Sequence, residues 1–308
     1  MKTVFIDGKA GTTGLRIYER LENRRDITLL TLSEEARKDP VQRKEMLNRA
    51  DIAFLCLPDD AAREAEAMID NPNTVVIDTS TAHRTNPQWA YGFPELSEDY
   101  ESAVKKAKRI AVPGCHASGF IALVYPLVEA GFLGKEAKLT CHSITGYSGG
   151  GKKMIAQYTS SERNALLDAP RQYGLTQMHK HLPEMQAVCG LKHAPIFCPI
   201  VSDFYSGMEV TVPLFLSDLK ADAGQIRELY RKKYAGPLVR YTDKADEDGM
   251  LSAAHLSSKD SMEVSVFGNE ERILLTARYD NLGKGASGAA VEVLNMVLGV
   301  EKTQGLEL

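Results

Sequence analysis

Short apolar runs alternate with helix-spaced segments through the first 115 residues. "TVFI", "ITLLTL", "DIAFLCL", "TVVIDTS" and "RIAV" are β-branched and aliphatic with few polar interruptions, the pattern of strands buried on both faces. Between them, "TTGLRIYERLE" and "DDAAREAEAMID" set their apolar residues at helical spacing. This alternation predicts an α/β domain with a Rossmann-type, doubly wound parallel sheet. From about residue 138 the period changes. "MEVTVPLFL" (208–216), "MEVSVF" (262–267) and "RILLTARYD" (272–280) are longer and alternate with period two, so an antiparallel or mixed sheet is expected. "KMIAQYTSSERNALL" and "AGQIRELYRKKYA" are its expected helices, which makes the second domain α+β. The last segment, "ASGAAVEVLNMVLG", opens with small residues, has an apolar face and is expected to pack back on the first domain. The expected division is a nucleotide-binding domain over residues 1–114, completed by 285–308, and a second domain over 115–284.

At 308 residues, 44% hydrophobic and 25% charged, the composition is that of a soluble globular protein. A net charge of −4 offers no basic surface for nucleic acid. No apolar stretch approaches the roughly 20 residues needed to span a bilayer. The five cysteines are irregularly spaced with no CxxC pair, and the chain starts directly into a strand pattern, so a cytoplasmic location is expected.

Candidate chemistry begins at "FIDGKAGTTG". Gly8, Gly11 and Gly14 follow the first strand and open a helix, where a tight turn and free N–H groups can receive a pyrophosphate. After the second strand, Ser33 stands where an NAD-type site would place an acidic residue, with Glu34 next. Arg37 and Lys38 lie one turn further on, where they can meet a 2′-phosphate, which favours NADP over NAD. A solvated helix end of mixed charge has the same appearance.

"TGYSGGGKKM" (145–154) imitates a phosphate loop through Gly146, Gly151 and Lys152, but Lys153 occupies the position of the Mg²⁺-ligating hydroxyl. A Gly-rich turn between a strand and a helix can still hold a substrate phosphate through N–H groups, with Ser148 adding a hydroxyl and Lys152 a charge. A flexible connection with solvated lysines is the alternative.

"AVPGCHASGF" puts Cys115 at the expected N-terminus of an apolar helix, where the dipole favours thiolate and N–H groups can hold an oxyanion. Cys56 and Cys141 fall inside strand patterns, and Cys189 and Cys198 lack such a setting. His116, next to the thiol, is expected to point elsewhere. "QMHKHLPEMQ" gathers His179, His181 and Glu184. Pro183 places His181 just before a helix and Glu184 in its first turn, so one histidine can reach Cys115 with Glu184 orienting it. A metal site or a surface cluster would read similarly, although no fourth zinc ligand follows at a suitable spacing.

The ordered strings "GKAGTTG", "FLCLPDDAA", "VIDTSTAHR", "YGFPEL", "VPGCHASGF", "HKHLPEM" and "NLGKGASG" resemble the shorter bacterial form (type 2) of the N-acetyl-gamma-glutamyl-phosphate reductases, within the semialdehyde dehydrogenase superfamily. The resemblance implies an NADPH-dependent enzyme of arginine biosynthesis that reduces N-acetyl-L-glutamyl 5-phosphate through a cysteine thioester. It implies Cys115 as nucleophile and His181 as acid/base, with His179 and Glu184 near the substrate. Its dinucleotide loop falls on Gly8, Gly11, Thr12, Thr13 and Gly14, and Pro58, Ser80, Gly285, Ala286 and Ser287 correspond to segments lining the cofactor. It also implies that the second domain carries catalysis, substrate binding and dimerisation, and that the chain is a homo-oligomer, dimer or tetramer, without a metal. The longer form ends its Gly-rich loop in Arg where this chain has Lys152. The alternatives are a reductase of an aminoadipyl or aspartyl phosphate, a P-loop NTPase, or a non-catalytic dinucleotide-binding regulator.

Overall fold

A computed structural model describes residues 1–9, 11–33 and 35–308. The chain forms two compact units, Met1–Gly114 with Ala286–Leu306, and Cys115–Gly285 with Glu307–Leu308. The first unit holds strands β1 (Lys2–Asp7), β2 (Ile27–Leu30), β3 (Ile52–Leu55), β4 (Val75–Asp78), β5 (Ala90–Tyr91) and β6 (Arg109–Ala111). Helices α1 (Thr12–Leu21), α2 (Pro40–Arg49), α3 (Asp59–Ala67) and α4 (Glu98–Lys106) alternate with them. Every strand pair is parallel, in the order β2-β1-β3-β4-β6-β5.

Period two sorts the first core onto two faces. Val4, Ile6, Ile52, Phe54 and Ile77 pack with Ile17 and Leu21 of α1, whereas Phe5, Ala53, Leu55 and Val76 pack with Leu47 of α2 and Ala65 of α3. Burial on both faces explains why these strands read as continuous apolar runs. Because β2 and β3 flank β1, the strand order reverses at the carboxyl end of β1, the position where such sheets receive ligands. Cys56 falls just beyond β3 rather than within a strand, its N–H bonded to the Asp7 carbonyl at 2.8 Å.

The second unit begins with α5 (Cys115–Glu129), followed by β7 (Thr140–Gly146), α6 (Gly151–Thr159), β8 (Arg171–Gln172), α7 (Leu182–Val188), β9 (Ile196–Ser202), β10 (Met208–Phe215), α8 (Ala223–Lys233), β11 (Val239–Tyr241), β12 (Met262–Gly268) and β13 (Arg272–Tyr279). Its mixed sheet runs β11-β12-β13-β10-β7-β9-β8. The pairs β7–β9 and β11–β12 are parallel and the rest antiparallel. Val210, Val212, Leu275 and Ala277 point to the buried face, on which α5 and α8 lie. A final helix, α9 (Gly288–Leu298), belongs to the first unit, where Ala289, Ala290, Val293 and Leu294 join the core that holds α1.

The helix expected over 153–167 is shorter than its pattern. It ends at Thr159, because Ser160 and Asn164 turn their side chains onto backbone N–H groups, those of Glu162 (3.2 Å) and Leu166 (2.9 Å). Such bonds offer the chain an alternative to the helical ladder.

α5 is apolar around most of its circumference and is buried from His116 to Val124. Pro126 has no N–H to give the Ala122 carbonyl one turn earlier. The Tyr234 hydroxyl donates to that oxygen instead, at 2.7 Å, and the Tyr230 hydroxyl donates to the adjacent Leu123 carbonyl. A buried helix with an interior proline is thereby kept satisfied, and it carries Cys115 at its first position.

Candidate active site

In the first unit a cavity of about 880 Å³ opens at the carboxyl ends of β1, β2 and β3. Asp7, Gly8 and Lys9 form one wall, Leu30, Leu32 and Leu57 supply apolar surface, and Ser33, Arg37, Lys38 and Arg43 stand on the rim. Gly8 has φ +88°, and a Cβ on it would lie 2.2 Å from the Cys56 carbonyl oxygen, so only glycine makes this turn. The Gly8 carbonyl accepts the Gly11 N–H at 2.9 Å, and Gly11 caps α1, whose first residues are Thr12, Thr13 and Gly14. A Cβ on Gly14 would approach the Gly8 oxygen to 2.5 Å.

The Ser33 hydroxyl accepts the Ala36 N–H at 3.2 Å, which shapes the short turn bearing Arg37 and Lys38. Glu34, named with Ser33 in the sequence reading, lies outside the described residues. Arg43 was not singled out from the sequence. It comes from α2 and grips the buried Asp7 carboxylate through Nη2 (2.7 Å) and Nε (3.2 Å).

Of the expected cofactor residues, Gly8, Ser33 and Arg37 line the cavity, whereas Gly11, Thr12, Thr13, Gly14, Pro58, Ser80, Gly285, Ala286 and Ser287 are not part of its wall. Pro58 follows Leu57 as the cap of α3. Ser80 is buried against Asp78, which accepts its N–H (2.9 Å) and its hydroxyl (2.7 Å) and also bonds His83 Nδ1 at 2.7 Å. Ala286 and Ser287 belong to the turn before α9. Gly285, in the second unit, abuts the cysteine, since a Cβ there would lie 3.1 Å from Cys115 Cβ.

The second unit gathers its histidines. His181 caps α7, whose first turn holds Pro183 and the buried Glu184. The preceding loop is pinned by Gln177, whose amide donates to the Phe197 carbonyl (2.7 Å) and accepts the Phe197 N–H (2.8 Å). The rings of His179 and His181 are 4.8 Å apart, edge to face. His116, expected from the sequence to point away from the adjacent thiol, joins this pair, its ring 5.6 Å from each. Its Nδ1 meets the Ser143 hydroxyl at 2.7 Å and its Nε2 the Tyr173 hydroxyl at 2.6 Å.

Burial holds His116 down to about 3, aided by the neighbouring His179, so it is neutral near pH 7. Burial, and then Lys180, also lowers His179. The His181 N–H donates to His179 Nδ1 at 3.2 Å, which leaves the proton of neutral His179 on Nε2. Tyr173 was missed in sequence because no local motif marks it; His116 and Gln177 lie within "AVPGCHASGF" and "QMHKHLPEMQ" but were given no role there.

The Gly-rich segment bridges β7 and α6. The N–H groups of Gly146, Tyr147 and Ser148 bond the carbonyls of Gly207 (3.1 Å), Phe204 (2.9 Å) and Tyr205 (3.0 Å). These three are therefore spent on the fold, leaving Gly149 and Gly150 exposed ahead of exposed Lys152. The Ser148 hydroxyl is buried and accepts from Asn281 Nδ2 at 3.0 Å. Among the described residues no three His, Cys, Asp or Glu side chains are arranged to hold a metal ion, and no helix is long and apolar enough to cross a membrane.

A parallel nucleotide-type sheet joined to a mixed-sheet unit that begins at a cysteine-led helix is the architecture of one class of reductase, and the chain belongs to the semialdehyde dehydrogenase family. The family's NAD binding domain matches residues 3–104 and its dimerisation domain residues 115–281. Within that family, the chain is 45% identical to the N-acetyl-gamma-glutamyl-phosphate reductase of Rhizobium meliloti, over 96% of this chain and 98% of the relative. It is 43% identical to N-acetyl-gamma-glutamyl-phosphate reductase 2 of Pseudomonas putida, over 98% of each. The fold is also that of aspartate semialdehyde dehydrogenase II from Vibrio cholerae, with TM-score 0.72, 17% identity and coverage of 97% and 99%. The Candida albicans aspartate semialdehyde dehydrogenase solved with NADP superposes with TM-score 0.66 at 14% identity, over 97% of this chain and 99% of that one.

Proposed function

We propose that the protein reduces N-acetyl-L-glutamyl 5-phosphate to N-acetyl-L-glutamate 5-semialdehyde and inorganic phosphate with NADPH, a step of arginine biosynthesis in the cytoplasm. The observation that carries the reading is the position of Cys115 at the head of a buried helix, followed by His116 in ring contact with His179 and His181. The names of the full-length relatives supply the substrate.

The Cys115 thiolate attacks the acyl carbon. The S–C bond forms as the C–O bond to phosphate breaks, and phosphate leaves with the electron pair. A thioester carbonyl is electrophilic enough to be reduced, which a carboxylate is not. The dinucleotide, when bound, supplies the hydride. His181 lends a proton to the oxyanion of the thiohemiacetal and recovers it as the C–S bond breaks, releasing aldehyde and thiolate. His179, neutral with its proton on Nε2, donates to the substrate, and buried Glu184 orients the turn carrying His181. Lys152 supplies the charge that holds the phosphate, in a loop whose shape Ser148 maintains.

The glycine turn and the cavity at the strand ends fit a dinucleotide. Ser33 with Arg37 and Lys38, in place of an acidic residue, fits a 2′-phosphate and so NADP. Ile196, Phe215 and Leu274 are exposed on the strand face opposite α5, which suits a second copy of the chain and agrees with the family's dimerisation domain. The test is phosphate-dependent reduction of NADP⁺ by N-acetyl-glutamate semialdehyde, with aspartate and aminoadipate semialdehydes in parallel. Faster turnover of either competitor would reassign the substrate, and ATP hydrolysis without nicotinamide chemistry would replace the reading.

A further inference from the structure

We propose that Tyr279 is a positioning residue for the nucleophile, its hydroxyl fixing the first turn of α5 and thereby the sulfur of Cys115. The inference rests on the reading of Cys115 as nucleophile. Tyr279 ends β13 in the interior of the mixed sheet and is fully buried. Its O–H donates to the carbonyl of Cys115 at 2.5 Å, and its oxygen accepts the N–H of Gly119 at 3.0 Å. Those are the C=O of position i and the N–H of position i+4, the two groups that an α-helix pairs with each other. The hydroxyl therefore bridges the first rung of the ladder beneath the thiol.

Satisfaction of stray carbonyls does not account for this contact. Tyr234 bonds the oxygen of Ala122 because Pro126 brings no N–H to it. At Cys115 the corresponding residue is Gly119, whose N–H is present. Gly119 is also the residue that makes room, since a Cβ there would lie 2.7 Å from the Tyr279 oxygen and 2.7 Å from Val210 Cγ2.

The segment after Tyr279 braces the same cysteine from its side-chain face. Buried Asp280 accepts the Ser206 hydroxyl (2.8 Å), the Leu282 N–H (2.6 Å) and the N–H of Ser258. Its carbonyl accepts the Gly285 N–H at 3.0 Å, holding Gly285 against Cys115 Cβ. Burial raises the Tyr279 phenol well above its ordinary range, so the hydroxyl keeps its proton and remains a donor to the carbonyl throughout the working pH range. The N–H groups of this first turn are what stabilise a thiolate or oxyanion at the helix start, and their aim depends on the geometry of the turn.

Tyr279→Phe removes the hydroxyl and keeps the ring. The experiment measures iodoacetamide alkylation of Cys115 against pH by peptide mapping, together with kcat and the KM for NADP per folded enzyme. The expected result is an alkylation midpoint moved upward by about half a pH unit or more, kcat lower by roughly ten- to a hundredfold, and an unchanged KM for NADP. A variant with lowered melting temperature but wild-type midpoint and kcat would reduce Tyr279 to packing and overturn the proposal. If Tyr279→Phe does not fold, Gly119→Ala displaces the same hydroxyl from the helix side and must give the same upward midpoint; a wild-type midpoint there overturns the proposal equally. Retained turnover in Cys115→Ser would defeat the nucleophile reading instead, and the alkylation profile distinguishes the two failures.

Discussion

Burial pushes the Cys56 thiol up to about 12 and the thiols of Cys141 and Cys189 well above their ordinary value, so these three stay protonated near neutral pH. Cys115 begins a helix in a partly exposed position. Iodoacetamide is expected to label Cys115 first and to abolish turnover, and Cys115→Ser is expected to lose nearly all activity while still binding NADP. Substantial turnover by the serine variant would remove Cys115 from the mechanism. The histidines divide by environment as well. His116 is neutral and engaged through both ring nitrogens, whereas His181 stands at the head of α7. His181→Asn should lower kcat by roughly 10²- to 10⁴-fold and His179→Asn less, with little change in cofactor affinity; the opposite order would exchange their roles. Cys115, His179 and His181 could be singled out from sequence because each sits in a short motif whose local geometry is informative. Tyr173, Gln177, Tyr279 and Arg43 could not, since each matters through a contact made across more than one element.

Helix α5 is an element whose hydrophobicity was plain in the sequence but whose upkeep was not. The fold compensates for Pro126 with hydroxyls from α8 and from the residue that follows that helix. Tyr234→Phe would leave the Ala122 oxygen buried without its donor, at a cost of about 1–3 kcal/mol. The expected signature is a lower urea midpoint at unchanged slope, with kcat per folded enzyme close to wild type. An unaltered midpoint would mean that this carbonyl is satisfied in another way. Helix α6 illustrates the opposite limit. Its apolar spacing continued past residue 159, and serine and asparagine side chains ended the helix by bonding the backbone.

At the scale of the molecule, the change from fully buried strands to period-two strands foretold a parallel sheet followed by a mixed one, because each pattern records how many faces of a sheet are covered. The cavity of the first unit depends on that order, drawing its walls from the ends of β1, β2 and β3 together. NADP should be preferred to NAD, and Arg37→Ala should narrow the preference by weakening contact with the 2′-phosphate. Equal use of both cofactors by the unaltered enzyme would contradict that assignment of the rim. The most direct test of the central claim is to mix the enzyme with N-acetyl-L-glutamyl 5-phosphate in the absence of any dinucleotide, quench in acid and determine the mass of its peptides. One N-acetylglutamyl group is expected, joined as a thioester to the peptide containing Cys115 and removed on adding NADPH before the quench. An unmodified Cys115 with phosphate released, or an acyl group on another residue, would contradict it.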